Sequence, residues 1–229
     1  MQRCIARELM DDDEAIGTLD EWRESLRDLA RVNTYLGGWH ALRSELSCLP
    51  RPPARILDVA TGGGDLPRST LSYLQRRGIR ASCVAVDRSA RLLGLAQQMG
   101  SRIDGLSFQQ ADACRLPFAD RSFDLATCNL ALHHFEPAEA IQVLRELARV
   151  ATAVIVNDLR RSWVAWGFAL VVFPLFTSNR FTRNDGPLSV RRAYTPPEVG
   201  ALARQAGWTE VRVRTMPGYR MTLVGGVRT

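Results

Sequence analysis

Between residues 55 and 158, short apolar runs rich in β-branched residues alternate with amphipathic helical segments. No other feature restricts the fold as much. The runs Arg55–Ala60, Ser82–Asp87, Leu106–Gln110, Phe123–Asn129 and Ala153–Asp158 read as strands. Helices are expected at Leu66–Arg77, with Asp65 as N-cap and Pro67 in the first turn, at Arg91–Met99 after Ser89, and at Ala138–Val150 after Pro137. This order implies an α/β fold, a doubly wound and mostly parallel sheet with helices on both faces. Right-handed connections then gather the strand-to-helix loops along one edge, where such sheets bind ligands.

The flanks are organised differently. Residues 1–50 read as a helical preface, broken at Gly37–Gly38 and ended by Pro50, Pro52 and Pro53. After the last parallel strand, Trp163–Phe176 is an uncharged run too short to span a bilayer. Thr195-Pro196-Pro197-Glu198 is a capping box opening a helix that should end at Gly207. Trp208–Met216 and Tyr219–Val227 read as a closing hairpin around Pro217–Gly218. The expected units are a helical lid over 1–50 and a main domain over 54–229, in which 160–195 form an inserted helical cover over the substrate pocket. With Arg3, Arg7 and Glu8 leading into an acidic run, the start lacks the pattern of a secretory signal, so a cytoplasmic location is expected.

The first strand delivers Asp58-Val59-Ala60-Thr61-Gly62-Gly63-Gly64-Asp65 straight into a helix. Glycines there let backbone amides approach a ligand, with a helix N-terminus behind them. The dinucleotide pattern GxGxxG would need glycine at position 67, where Pro67 stands, which argues against a nicotinamide-dependent oxidoreductase. A carboxylate at Asp65 would repel a pyrophosphate and attract an ammonium or sulfonium. Asp87 ends the second strand, where a carboxylate can accept from ribose hydroxyls. Asp112 follows the third strand, placed to accept from an adenine amino group while the Ala113 amide donates to the ring.

These residues resemble a family. ILDVATGGGDLP, AVDRS, QQADACRLPF and FDLATCNLALHHF look like motifs I to IV of the class I S-adenosylmethionine-dependent methyltransferases, over about residues 54–158. Motif I is most similar to the ubiquinone/menaquinone-biosynthesis type, with alanine at Ala60. The resemblance implies a Rossmann-like, seven-stranded, mostly parallel sheet with a C-terminal antiparallel strand. It further implies S-adenosyl-L-methionine as cofactor, held by Ala60, Thr61, Gly62, Gly64, Asp65, Asp87, Arg88, Asp112, Ala113 and Asn129. In place of the common RVLKPGG-like turn the chain has Arg149-Val150-Ala151-Thr152-Ala153, which bears on subfamily.

Methyl transfer from a sulfonium is an in-line displacement that needs alignment and, for a phenolic acceptor, a base. Two of the three histidines, His133 and His134, follow strand four and are the candidate bases; the alternative is that both only order the loop. No metal is needed. Expected acceptor contacts are Tyr35 and Trp39 on one wall, with His40, and Asn157, Arg160, Trp163 and Trp166 on the other, with Phe168 and Phe173. Arg161, Arg183, Arg191 and Arg192 are candidates to pair with an anionic acceptor. The expected acceptor is a small, largely apolar phenolic, polyketide or quinone-like metabolite, with transfer to oxygen placed before transfer to carbon.

Composition narrows the partners. All thirty basic residues are arginine, scattered along the chain, and the net charge is +6. Asn129 is followed by Leu130-Ala131-Leu132 instead of the Pro-Pro-aromatic run of nucleic-acid base methyltransferases. Nucleic acid is therefore not an expected partner, and an RNA methyltransferase stays an alternative, as does a non-catalytic binding protein. The five cysteines show no metal-ligand spacing. Trp163–Phe176 is read as a cover helix, with packing or weak membrane-surface contact as alternatives. A monomer or homodimer is expected.

Overall fold

The computed structural model describes residues 1–11 and 17–226. Its parallel strands are β1 (Arg55–Val59), β2 (Ser82–Asp87), β3 (Leu106–Gln110), β4 (Phe123–Asn129) and β5 (Ala151–Leu159). With β6 (Glu210–Met216) and β7 (Arg220–Gly226) they form one sheet in the order β3-β2-β1-β4-β5-β7-β6. β7 runs antiparallel to both β5 and β6, so the fold is the expected mostly parallel, seven-stranded one. Val227 of the expected hairpin lies outside the described residues.

The helices are α1 (Leu19–Tyr35), α2 (Gly38–Ser47), α3 (Asp65–Arg76), α4 (Ala90–Gln98), α5 (Pro137–Val150), α6 (Trp163–Phe176), α7 (Arg180–Arg192) and α8 (Pro196–Gln205). Both faces of the sheet are buried. Leu57, Val59 and Ala126 pack with α5 and α8 on one side, while Ile56, Leu125 and Ile155 pack with α2 and α3 on the other. That double coverage is why β1 and β4 read as almost unbroken apolar runs.

Several boundaries differ from the sequence expectation by one or two residues. The N-cap of α3 is Gly64, in a left-handed conformation (φ 70°), and Asp65 is the first helical residue. A Cβ at Gly64 would lie 2.9 Å from the Phe108 ring, so the turn needs glycine on two counts. β5 starts two residues early, because Ala151 takes extended geometry directly at the end of α5. Residues 160–195, expected as a helical cover, hold α6 and α7, and α7 runs through Asn184-Asp185-Gly186-Pro187, a stretch with the composition of a turn. Packing against α6 holds it, and Gly186 leaves room for the Phe173 ring, which a Cβ there would meet at 2.6 Å.

Candidate functional site

The loops after β1, β2, β3 and β4 meet at one edge of the sheet. They open on a cavity of about 970 Å³, at the upper end of the range for small-molecule sites. Ala60, Gly62, Asp87, Arg88, Asp112 and Ala113 line it from these loops. Ala60 (φ 56°) and Leu130 (φ 50°), each just past the end of a strand, are non-glycine residues held in the left-handed region. Such strain gathers where backbone must be shaped around a ligand. Asp87 accepts from the Gly62 amide at 2.9 Å and the Ser89 amide at 3.0 Å, which fixes its carboxylate at the strand end. Burial raises its pKa above the ordinary value against those hydrogen bonds.

Behind the glycine loop lies a polar relay. Asn33 of α1 donates to Asp65 at 3.0 Å and accepts from Arg220 of β7 at 3.4 Å. Arg220 is 0% exposed and lines the cavity. Its Nε and Nη1 have no hydrogen-bond partner among the described residues. Burial lowers its pKa to about 10, against the pull of Asp158 and Asp65. A buried guanidinium with two idle donors on a cavity wall is built to receive an anion.

At the other end, the loop after β4 turns through Leu132–His134. The Nδ1 of His133 lies 2.7 Å from Asp158 Oδ1, and its backbone amide donates to Asp158 Oδ2 at 2.9 Å. A carboxylate only accepts, so Nδ1 is the donor in this pair, which leaves Nε2 as the ring nitrogen not engaged by Asp158. Burial would raise Asp158, but the charge and hydrogen bonds of His133 outweigh it and hold the acid below its usual range.

The sequence reading missed the acids that face these histidines. Residues 1–11 run across the loop after β4 as a strap. Arg3 donates to the carbonyls of His133, Phe135 and Arg192, while Asp185 of α7 accepts from the amides of Leu9 and Met10 at 2.8 and 3.1 Å. This puts Glu8 Oε1, itself without a hydrogen-bond partner among the described residues, 3.6 Å from His133 Nε2, and Asp11 2.5 Å from His134 Nδ1. Burial pushes Glu8 up to about 7 against the charge of His134. Asp11 is held well below the carboxylate range: burial opposes this, but His134 and Arg192 outweigh it. Glu8, His133 and His134 have the ligand-atom spacing of a metal site, all within 4.8 Å of one another. The Arg192 guanidinium, 3.8 Å from Glu8, already supplies positive charge there. No sequence signal links Glu8 to His133, which lies far along the chain.

Several expected contacts lie elsewhere. Of the acceptor candidates, Tyr35 is 77% exposed at the end of α1, and Trp39 packs on Tyr73 under the sheet. Asn157 is buried, donating to the Gly38 carbonyl and to Asn129, which in turn donates to Asp58 at 3.0 Å. Arg160 holds the Tyr219 carbonyl through its amide, and Trp163 faces outward with Trp166 stacked edge-on beside it. None of these six lines the cavity, and neither do Thr61, Gly64, Asp65 or Asn129. The expected Phe168 and Phe173 do line it, and the rest of the apolar wall comes from Leu29, Val32, Ala165 and Val190. Of the expected arginines, Arg192 reaches it, bound to Asp11 and to the His134 carbonyl, whereas Arg161 pairs with Glu198.

A family model described as a methyltransferase domain matches residues 56–153. The demethylmenaquinone methyltransferase of Deinococcus radiodurans is 36% identical over 116 residues, 50% of this chain and 45% of that one. The enzyme of the same name from Beutenbergia cavernae is 32% identical over 179 residues, 73% of this chain and 71% of its own length. The chain thus matches under half of the first relative and over two thirds of the second. Human N-acetylserotonin methyltransferase, solved with S-adenosylmethionine, superposes with a TM-score of 0.68 at 16% identity, over 93% of this chain and 57% of that one. At that identity the likeness is one of fold. The extent of the Beutenbergia match and the glycine edge of the sheet lead to one conclusion: the chain belongs to the class I S-adenosylmethionine-dependent methyltransferases.

Proposed function

We propose that this protein transfers a methyl group from S-adenosylmethionine to a hydroxyl-bearing, largely apolar aromatic acceptor of the phenolic, polyketide or quinol class, with His133 as the base. The observation that carries this reading is the single cavity that joins the glycine edge to an Asp158-oriented histidine. The residues present fit the cofactor. Asp87 would hold the ribose, and Asp112 and Ala113 the adenine, with Arg88 beside the ring. Ala60, Thr61, Gly62 and Gly64 would shape the backbone cradle. Asp65 would attract the amino group through the Asn33 relay, and the idle donors of Arg220 would take the carboxylate. When bound, this cofactor supplies an electrophilic methyl group on a sulfonium.

His133 Nε2 takes the acceptor's hydroxyl proton, and ionised Asp158 stabilises the resulting imidazolium. The carboxylate of Glu8, next to that nitrogen, is placed to receive the proton onward. The strap and α1 on one side, with α6 and α7 on the other, act as lid and cover that keep water from an apolar acceptor. Transfer to a ring carbon is a second reading, favoured by the similarity to demethylmenaquinone methyltransferases. The same proton removal serves it, because a phenolate is also nucleophilic at ring carbon.

The test is methyl transfer from labelled S-adenosylmethionine to a panel of dihydroxyarenes with alkyl or prenyl tails. His133→Asn should lower kcat by about 100-fold, as loss of a general base does. It should leave calorimetric affinity for S-adenosylhomocysteine unchanged. No labelled product from any hydroxylated arene, or an unaltered kcat in the variant, would refute the reading.

A further inference from the structure

Of the large apolar side chains that the described structure leaves exposed, most stand on one helix. Trp163, Val164, Leu170, Val171 and Leu175 form the outer face of α6, with Trp163 64% and Leu175 83% exposed. Phe168 and Phe176 extend this face at its margins. The inner face is apolar too: Ala165, Phe168, Ala169 and Phe173 line the cavity. A helix apolar all round belongs in a protein core or in lipid, and α6 has a core on one side only. At fourteen residues it is roughly 21 Å long. No helix among the described residues is long and apolar enough to cross a membrane, so the orientation open to α6 is flat in the interface.

Its surroundings indicate the kind of surface. From Leu159 to Asn184 the chain contains four arginines and no acidic residue. Arg161 is used on Glu198, and Arg180 is bonded to Glu21. Arg183 is exposed and donates to the Pro174 carbonyl at 3.2 Å, which sets its guanidinium at the C-terminal end of the apolar face. At the other end, Trp163 and Trp166 stack edge-on at 5.8 Å. Tryptophan at the margin and arginine at the headgroup level are the side chains that suit a lipid–water boundary. A carboxylate in this segment would oppose anionic headgroups, and none is present.

We propose that α6 docks the protein on the surface of an anionic phospholipid membrane, its outer face entering the headgroup–acyl boundary. Phe168 then sits at the junction between membrane and cavity, since it is both exposed and part of the lining. Its ring packs on Tyr219, another lining residue, with ring centroids 5.7 Å apart. An apolar acceptor dissolved in the bilayer would reach His133 without crossing water. That last consequence rests on the methyl-transfer reading; the docking does not.

The experiment is co-sedimentation of the full chain with vesicles of phosphatidylcholine alone or mixed with phosphatidylglycerol. Binding should be at least about tenfold stronger to the mixed vesicles and should weaken with added salt. The double variant Val171→Glu, Leu175→Glu should lose at least about tenfold of that binding. It should keep its melting temperature and its affinity for S-adenosylhomocysteine, since neither side chain lines the cavity. No binding by the parent chain, or equal binding by the variant, would overturn the proposal. So would a concentration-dependent dimer in lipid-free buffer that the variant abolishes, because the face would then belong to a second copy. Vesicle binding is read without acceptor, so its failure is distinguishable from failure of the methyl-transfer reading.

Discussion

Two buried charges define the site at the scale of single residues. Glu8 is 5% exposed and has a pKa raised from 4.5 to about 7. It faces His133 and His134 from the loop after β4, Arg192 and Asp185 from α7, and Asp11 from its own strap. The folded state binds its proton more tightly than the unfolded chain does, so the stabilisation is fully present below about pH 4.5. It is lost as pH rises through about 7, on the order of 3 kcal/mol in all. Denaturant titrations between pH 5 and 8 should therefore show Glu8→Gln flattening a fall seen in the parent. An equal fall in both would remove Glu8 from this role. Arg220 is tested by a pair of ligands. Arg220→Gln should weaken S-adenosylhomocysteine about 30-fold by calorimetry, the order expected of a lost charge-assisted pair. 5′-Methylthioadenosine, which lacks the amino-acid end, should bind the variant as it binds the parent. An equal loss for both ligands would make Arg220 a residue of the scaffold only.

At the scale of elements, the strap and α7 depend on each other. Asp185 caps the amides of Leu9 and Met10, and Arg192 bonds Asp11 and the His134 carbonyl. α7 contains Pro187, which forfeits a helical hydrogen bond, and its mean apolar content is low. Its order comes from α6, from the strap and from α1, where Phe181 packs on Trp22 and Thr182 bonds Ser25. Asp185→Ala leaves two strap amides without their charged acceptor, which should free the strap locally while the sheet stays folded. Trypsin should then cut at Arg3 and Arg7 at least about tenfold faster than in the parent, read by mass spectrometry at early times. Unchanged cleavage would mean that the strap is held without Asp185, by Arg3 on its three carbonyls and by Arg192 on Asp11.

At the scale of the molecule, the sheet order sets what can meet. β1 and β4 are central neighbours, so the glycine loop and the histidine loop open side by side. β5 adjoins β4, which brings Asp158 to His133, and β7 adjoins β5, which brings Arg220 to the same edge. The alternation of apolar runs with helices made this sheet legible, because burial on both faces imposes one pattern on every strand. The glycine loop, Asp87 and Asp112 were legible as well, since each belongs to a short motif at a strand end. Glu8 and Arg220 were not: one stands near an acidic run and the other is one of thirty arginines. The aromatic character of Tyr35, Trp39 and Trp163 suits a pocket wall, but it does not state a direction. Sequence by itself determined the fold and placed the glycine loop, Asp87, Asp112 and the histidine pair at strand ends, because local periodicity and motif spacing are short-range properties written in consecutive residues. Tertiary structure alone decided which charges are buried against those histidines, which walls enclose the cavity and which face of α6 is left uncovered. Each of those depends on the approach of segments far apart in the chain, and on the desolvation that such an approach imposes.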